Sequence, residues 1–393
     1  MRFNALRDTL LLAALTITPA CQTTPATHHP LRASAASQRP LPTSAAIEAE
    51  ALRLMAGEAV KGMALAVIDN GKVVHVSAHG VRNLEKNLPL QTDTVMYGAS
   101  LTKAVVAYYV LQLVDEKRVD LDTPFAAGLP KPLPDYEDYG DLKTDPRWRA
   151  LTPRIVLSHQ TGFANFRWLD PDQKLRFHRD PGTRYGYSGE GFYVLQTYLE
   201  DGIGLDLGAE VQRHLFDRFG LKNTSLVWRA DFAQNLADGY RADGSLEVHD
   251  ERSSVSAAGS MDTTIADQAR LWAAMVLGED LSPASRAEWV RPQVAIDSAG
   301  QFPSLRDDRD PRGPAIHLAA GLGVIVFDGP QGRVFFKGGH NDSTGNMVVC
   351  VETTRRCLVL LANSVTAERI YPALTTFILG ETGMPWWWEY GER

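Results

Sequence analysis

Ser100-Leu-Thr-Lys-Ala-Val-Val-Ala-Tyr-Tyr-Val-Leu-Gln-Leu-Val114 opens with a serine three residues before a lysine, the one such spacing in the chain, and then runs on almost without polar residues. A long segment that is apolar on every face predicts a buried helix. Residues i and i+3 share a helix face, so the Lys103 amine is expected beside the Ser100 hydroxyl at the first turn. A serine nucleophile needs a neighbouring base. A helix N-terminus adds backbone N–H groups and a partial positive charge where an oxyanion would form. Alone, the spacing also describes an N-cap serine followed by a surface lysine, so the rest of the chain has to decide.

The chain has 393 residues, 44% apolar and 22% charged, with a formal net charge of −7. That is long enough for one large domain or two lobes with an ample core, and the composition is that of a soluble globular protein. No basic run appears, which argues against nucleic-acid binding.

The start of the chain stands apart. Arg2 and Arg7 precede Leu10-Leu-Leu-Ala-Ala-Leu-Thr-Ile17, and Thr18-Pro-Ala-Cys21 follows. A basic beginning, a short apolar centre and small residues before a cleavage point read as a secretory signal over residues 1–21. The apolar run is too short to span a bilayer. Cys21 directly after Ala20 resembles a bacterial lipoprotein box, with Thr18 where leucine is usual. Lipidation of Cys21 would leave a membrane-anchored periplasmic lipoprotein, and ordinary cleavage nearby would leave a secreted one. Residues 22–44 are rich in Thr, Ala, Pro, Ser and His and read as a disordered tether.

From residue 45 onwards the patterns are those of a folded body. Ala45–Ala56 reads as a helix. Met63–Asp69 and Lys72–Ala78 read as strands joined by Asn70-Gly71, a strong hairpin signal. Asp120–Lys143 reads as loop. Helical patterns follow at Thr152–His159, Phe192–Glu200, Leu207–Phe219 and Thr264–Leu277, the last with Asp262 or Thr263 as its N-cap. Strand signals return at Gly321–Asp328 and Arg333–Lys337, and Thr366–Gly380 reads as a closing helix. Cys350 and Cys357 lie in two apolar strands about a polar turn at Thr353-Thr354, which sets them opposite each other. A secreted chain would oxidise them; two separate small core residues are the alternative. Strands at both ends and helices in the middle imply an α+β architecture with an antiparallel sheet. One lobe would take about 45–95 and 300–393 and a helical lobe about 96–299. A ligand site is expected in the cleft between them.

Two further segments carry chemistry. Tyr187 lies on an aromatic loop after the Pro181-Gly182 turn and before a helix. A phenol is a poor base unaided, and a nearby ammonium such as Lys103 would lower its pKa. Lys337-Gly-Gly-His340 lies at a strand end, where glycines allow close backbone approach to a ligand. Lys337 would add positive charge for a phenolate or a substrate carboxylate. His159 and His75 read as structural.

In order and spacing, these segments resemble the serine β-lactamase and penicillin-binding-protein superfamily, in particular class C β-lactamases and the related esterases and D-peptidases. Ser100 and Lys103 match the family's Ser-x-x-Lys, Tyr187-Ser188-Gly189 matches Tyr-x-Asn in part, and Lys337-Gly338-Gly339 matches Lys-Thr-Gly. Leu157–Gly162, Ala257–Thr263 and Leu361–Ser364 are also family-like, so the likeness covers roughly Ile47 to the C-terminus. Two residues depart from the pattern. Gly189 stands where the family has an asparagine, and Gly338 where it has a threonine.

The resemblance implies an exported serine hydrolase with a β-lactamase-like fold. Ser100 would be acylated, and Lys103 and Tyr187 would move its proton. The backbone N–H groups of Ser100 and His340 would hold the oxyanion. Lys337, Gly338, Gly339, His340 and Gly189 would line the substrate site. The implied substrate is a small ester, β-lactam or D-amino-acyl peptide, with no metal or organic cofactor. The two departures weaken the case for an efficient β-lactamase. The alternative is a penicillin-binding or sensor protein that is acylated, or binds, with little turnover.

Overall fold

The computed structural model describes residues 39–392. The expected signal, Cys21 and most of the tether lie outside them.

Helix α1 (Ser44–Gly57) starts where the Thr43 hydroxyl accepts from Ala46 N–H. Strands β1 (Gly62–Asp69) and β2 (Lys72–Asn83) follow. Asn70 and Gly71 between them both take positive φ, 49° and 72°, which a tight hairpin turn of this kind requires. The short strands β3 (Leu88–Pro89) and β4 (Met96–Tyr97) lead to α2 (Leu101–Asp115). The middle of the chain holds α3 (Pro153–Leu157), α4 (Gly189–Thr197), α5 (Leu207–Val211), β5 (Gly239–Tyr240), β6 (Leu246–Glu247), β7 (Asp262–Thr263), α6 (Ile265–Leu277) and α7 (Pro283–Trp289). The last part comprises β8 (Val294–Ala295), α8 (Arg312–Ala315), β9 (Ala319–Ala320), β10 (Ile325–Gly329), β11 (Gly332–His340), β12 (Gly345–Val351), β13 (Arg356–Ala362), α9 (Tyr371–Leu379) and α10 (Trp386–Tyr390).

Nine strands form one antiparallel sheet in the order β3-β2-β1-β13-β12-β11-β10-β9-β8. The first long strand of the described residues therefore pairs with the last, β1 with β13, inside the sheet. Side chains alternate across each strand. Met63, Leu65, Val67, Phe336, Met347, Leu358 and Leu360 pack on one face with α1, α9 and Trp388. Ala64, Ala66, Ile68, Phe335, Val348 and Val359 pack on the other with α2, α6 and α7. Because both faces are covered, β12 and β13 are buried at every position, which is why they read as continuous apolar runs. The expected α+β fold, an antiparallel sheet with helices, is the observed one. Cys350 and Cys357 face each other across β12 and β13 and are joined by a disulfide.

Several elements differ from expectation. The N-cap of α6 is Thr264, whose hydroxyl accepts from Asp267 N–H at 3.1 Å. Asp262 and Thr263 are instead strand β7, paired with β4. The expected helix at Leu207–Phe219 is α-helical only to Val211 and then widens into a π-turn. The C-terminal helix begins at Tyr371, because Pro372 fits only a first turn; Val365–Arg369 before it is a 3₁₀ turn. Strand β11 continues past Lys337 through Gly338, Gly339 and His340, so the whole glycine motif lies in the sheet.

Candidate active site

The site is assembled at the N-terminus of α2. Every residue from Leu101 to Leu113 is buried, as expected of a helix apolar all round, and this fixes where Ser100 and Lys103 point. Ala99, just before Ser100, sits at φ 48°, a left-handed conformation that costs a non-glycine residue energy and tends to occur at functional turns. Two bonds hold this turn. The Thr102 hydroxyl donates to Ala99 O at 2.7 Å and accepts from Met261 N–H at 3.1 Å.

Lys103 has no solvent exposure. Its Nζ donates to Ser100 Oγ at 3.1 Å and to the Ala258 carbonyl at 2.5 Å. Burial, with the nearby Lys337 charge, holds its pKa well below the ordinary lysine value. Desolvation favours the neutral amine, whose lone pair can accept a proton.

Tyr187 is brought to the same place from the loop before α4. The Ser188 hydroxyl caps α4 by accepting from Gly191 N–H at 3.1 Å, and Ser188 N–H donates to His159 Nδ1 at 3.1 Å. The His159 ring stacks on Tyr187 with centroids 4.3 Å apart. The Tyr187 hydroxyl is hydrogen-bonded with Ser100, and Lys337 Nζ donates to it at 3.4 Å. Lys103 Nζ and Lys337 Nζ lie 5.0 and 5.2 Å from its ring centroid. The expected lowering of the Tyr187 pKa is corrected here. Burial pushes the phenol up, and the bond with Ser100 only partly offsets this. Tyr187 therefore keeps its proton at neutral pH.

The glycine motif closes the other wall. A Cβ on Gly339 would lie 2.9 Å from Leu101 N, 3.0 Å from Gly98 O and 3.1 Å from Ser100 N. All three are backbone atoms, so only glycine lets β11 approach the turn this closely. Next along the strand, His340 Nδ1 pairs with Glu368 Oε1 at 3.1 Å. Lys337 is buried, and its Nζ also donates to Gly338 O at 2.5 Å. Burial lowers its pKa and the Glu389 charge lifts it back in part.

Ser100, Lys103, Tyr187 and Lys337 are thus brought together, with Gly339 and His340 along the wall. Gly189 and Gly338 are also at the site, and each leaves room for a neighbour. A Cβ on Gly189 would overlap the Phe166 ring, and a Cβ on Gly338 would overlap Glu389 Oε1. Cys21 lies outside the described residues. Sequence reasoning did not find Asn165, whose Oδ1 accepts from Gly189 N–H at 3.0 Å. It also missed Phe302, whose ring meets Tyr187 and His340 at 5.3 and 5.5 Å. Neither carries a local signal; only long-range packing delivers them.

A Beta-lactamase family model matches residues 47–380. Esterase EstB of Burkholderia gladioli is 32% identical over 192 residues, 42% of this chain and 47% of its own length. The D-aminopeptidase of Gluconobacter oxydans (strain 621H) is 26% identical over 213 residues, 52% of this chain and 39% of its own. The chain thus spans about half the length, or less, of these curated relatives. A penicillin binding protein from Bacillus halodurans has the same fold, with a TM-score of 0.66 at 19% identity, covering 84% of this chain and 99% of that one.

The close approach at Gly339 predicts that Gly339→Ala forces β11 away from Ser100. Labelling of Ser100 by a fluorophosphonate should slow by about a hundredfold, the cost of misplacing reacting groups by roughly an ångström. Stopped-time labelling followed by mass spectrometry reads it, and an unchanged rate would contradict the assigned contact.

Proposed function

This chain belongs to the Beta-lactamase family, and on that premise we propose that it is a serine hydrolase that cleaves an ester or amide through an acyl-enzyme on Ser100. The observation that carries the reading is the buried Lys103 amine in contact with the Ser100 hydroxyl. Neutral Lys103 takes the Oγ proton as Oγ bonds to the substrate carbonyl carbon. Tyr187, still protonated and bonded to Ser100, passes a proton to the leaving group as the carbonyl–leaving-group bond breaks, and is reprotonated from Lys103. Water then attacks the acyl carbon, giving a proton to Tyr187 as Tyr187 passes its own to Lys103; the acyl–Oγ bond breaks, Oγ takes the proton back from Lys103, and the acid product leaves. The N–H groups of Ser100 and His340 are assigned to the oxyanion, each such donor being worth on the order of 10²–10³ in rate. Lys337 keeps the site positive while charge develops on oxygen.

Among substrates, esters and D-amino-acyl amides fit better than β-lactams. Gly189 and Gly338 remove an amide and a hydroxyl that the family's lactam-cleaving members place on the cleft walls. The same two glycines favour the second reading, a penicillin-binding sensor that is acylated with little turnover. Steady hydrolysis of p-nitrophenyl esters supports the enzyme, and a burst followed by silence supports the sensor.

Lys103→Arg tests the base. A guanidinium stays protonated at neutral pH, so kcat/KM on a p-nitrophenyl ester should fall by about 10²–10⁴, the usual worth of a general base. Activity near that of the unaltered chain would assign the proton to another group.

We further propose export, with Cys21 lipidated. The Cys350–Cys357 disulfide supports an oxidising compartment. Cys21→Ala should move the protein from the membrane to the soluble fraction of a bacterial host; an unchanged distribution would contradict the anchor.

A further inference from the structure

Glu389 has no part in the chemistry above, yet it lies against the site. It comes from α10, at the aromatic end of the chain, and is only 4% exposed. Its Oε1 occupies the place where a side chain at 338 would start. Its Oε2 accepts from Gln301 Nε2 at 2.7 Å, and Gln301 Oε1 in turn accepts from the Tyr185 hydroxyl at 3.0 Å. Trp388 beside it is fully buried, and its Nε1 donates to Ser298 Oγ at 3.2 Å. The carboxylate is therefore held by a built network on a packed helix. It lines one small cavity with His159, Tyr187, Gln301, Lys337 and Gly338.

Lys337 is the cation that a substrate carboxylate would seek beside Ser100. Glu389 lines the same wall, and its charge acts on Lys337. Burial raises the Glu389 pKa, and the charges of His340 and Lys337 pull it back down while Glu368 pushes it up. Ionised, Glu389 meets an incoming carboxylate with a like charge where little water can screen it. Unfavourable contacts with the wrong ligand are a recognised source of specificity.

We propose that Glu389 is a specificity-determining residue, a built-in anion beside Lys337 that makes the site select esters and amides carrying no carboxylate near the scissile bond. This rests on the serine-hydrolase reading of Ser100, and it assigns neutral or cationic substrates to that site.

Two aryl esters that differ in one group test it: meta-carbamoylphenyl phenylacetate and meta-carboxyphenyl phenylacetate. They are assayed well above neutral pH, because burial raises the Glu389 pKa. The unaltered chain should favour the carbamoyl ester in kcat/KM by about tenfold or more, the scale of a like-charge penalty. Glu389→Gln should shrink that ratio by about tenfold, because Gln keeps the shape and loses the charge. The ratio cancels any general loss of activity, and Glu389→Ser serves if the first variant does not fold. A ratio unchanged in the variants, or a preference of the unaltered chain for the carboxyl ester, overturns the proposal and leaves the hydrolase standing. Failure to cleave either ester, with no phosphonylation of Ser100, removes the hydrolase reading and this proposal with it.

Discussion

Taking the Lys103 amine out of water is the step on which the rest of this structure depends. An exposed lysine holds its proton and is useless as a base. At the first turn of a helix buried on all sides, between the sheet and the helical middle of the chain, the same amine has no solvent to stabilise its charge. Desolvation lowers its proton affinity, and Lys337 lowers it further. The price is high, since a buried amine must be satisfied, and the Ser100 hydroxyl and Ala258 carbonyl do this. The covered sheet, the apolar helix and the strained turn at Ala99 all serve to hold that contact.

The two glycines that depart from the family pattern follow a common rule. Where a side chain is missing at the cleft wall, the protein does not leave a void, because interiors are close-packed. Phe166 fills the place beside Gly189 and Glu389 the place beside Gly338. The first puts an aromatic face beside Gly189, whose N–H is taken by the Asn165 amide oxygen. The second replaces a hydroxyl with a carboxylate carried on the far end of the chain. The two places are thus filled by different neighbours while Ser100, Lys103 and Tyr187 stay together.

Much of the fold was legible because it is written in short-range patterns. Asn70-Gly71 marked its hairpin, the apolar run after Lys103 marked α2, and the symmetric placing of Cys350 and Cys357 about their turn marked their opposite positions on two strands, with the bond between them left open. What was not legible depends on contacts distant in sequence. The N-cap of α6 moved because Asp262 and Thr263 were taken into a strand with Met96–Tyr97. The proton affinity of Tyr187 could not be read from its neighbours in the chain, since burial, with His159 and Phe302 packed on the ring, outweighs the lowering effect of Ser100. Glu389 and Gln301 meet across 88 residues, and no local motif announces such a pair.

The most direct test is the pH dependence of Ser100 phosphonylation by a fluorophosphonate, which reports the group that takes the Oγ proton without needing the natural substrate. The rate should rise to a plateau with a midpoint well below the value of about 10.4 for an ordinary lysine, and that midpoint should vanish in Lys103→Ala. A midpoint that survives in Lys103→Ala, or a rate that climbs without a plateau into the range of exposed lysines, would contradict a neutral Lys103 as the base.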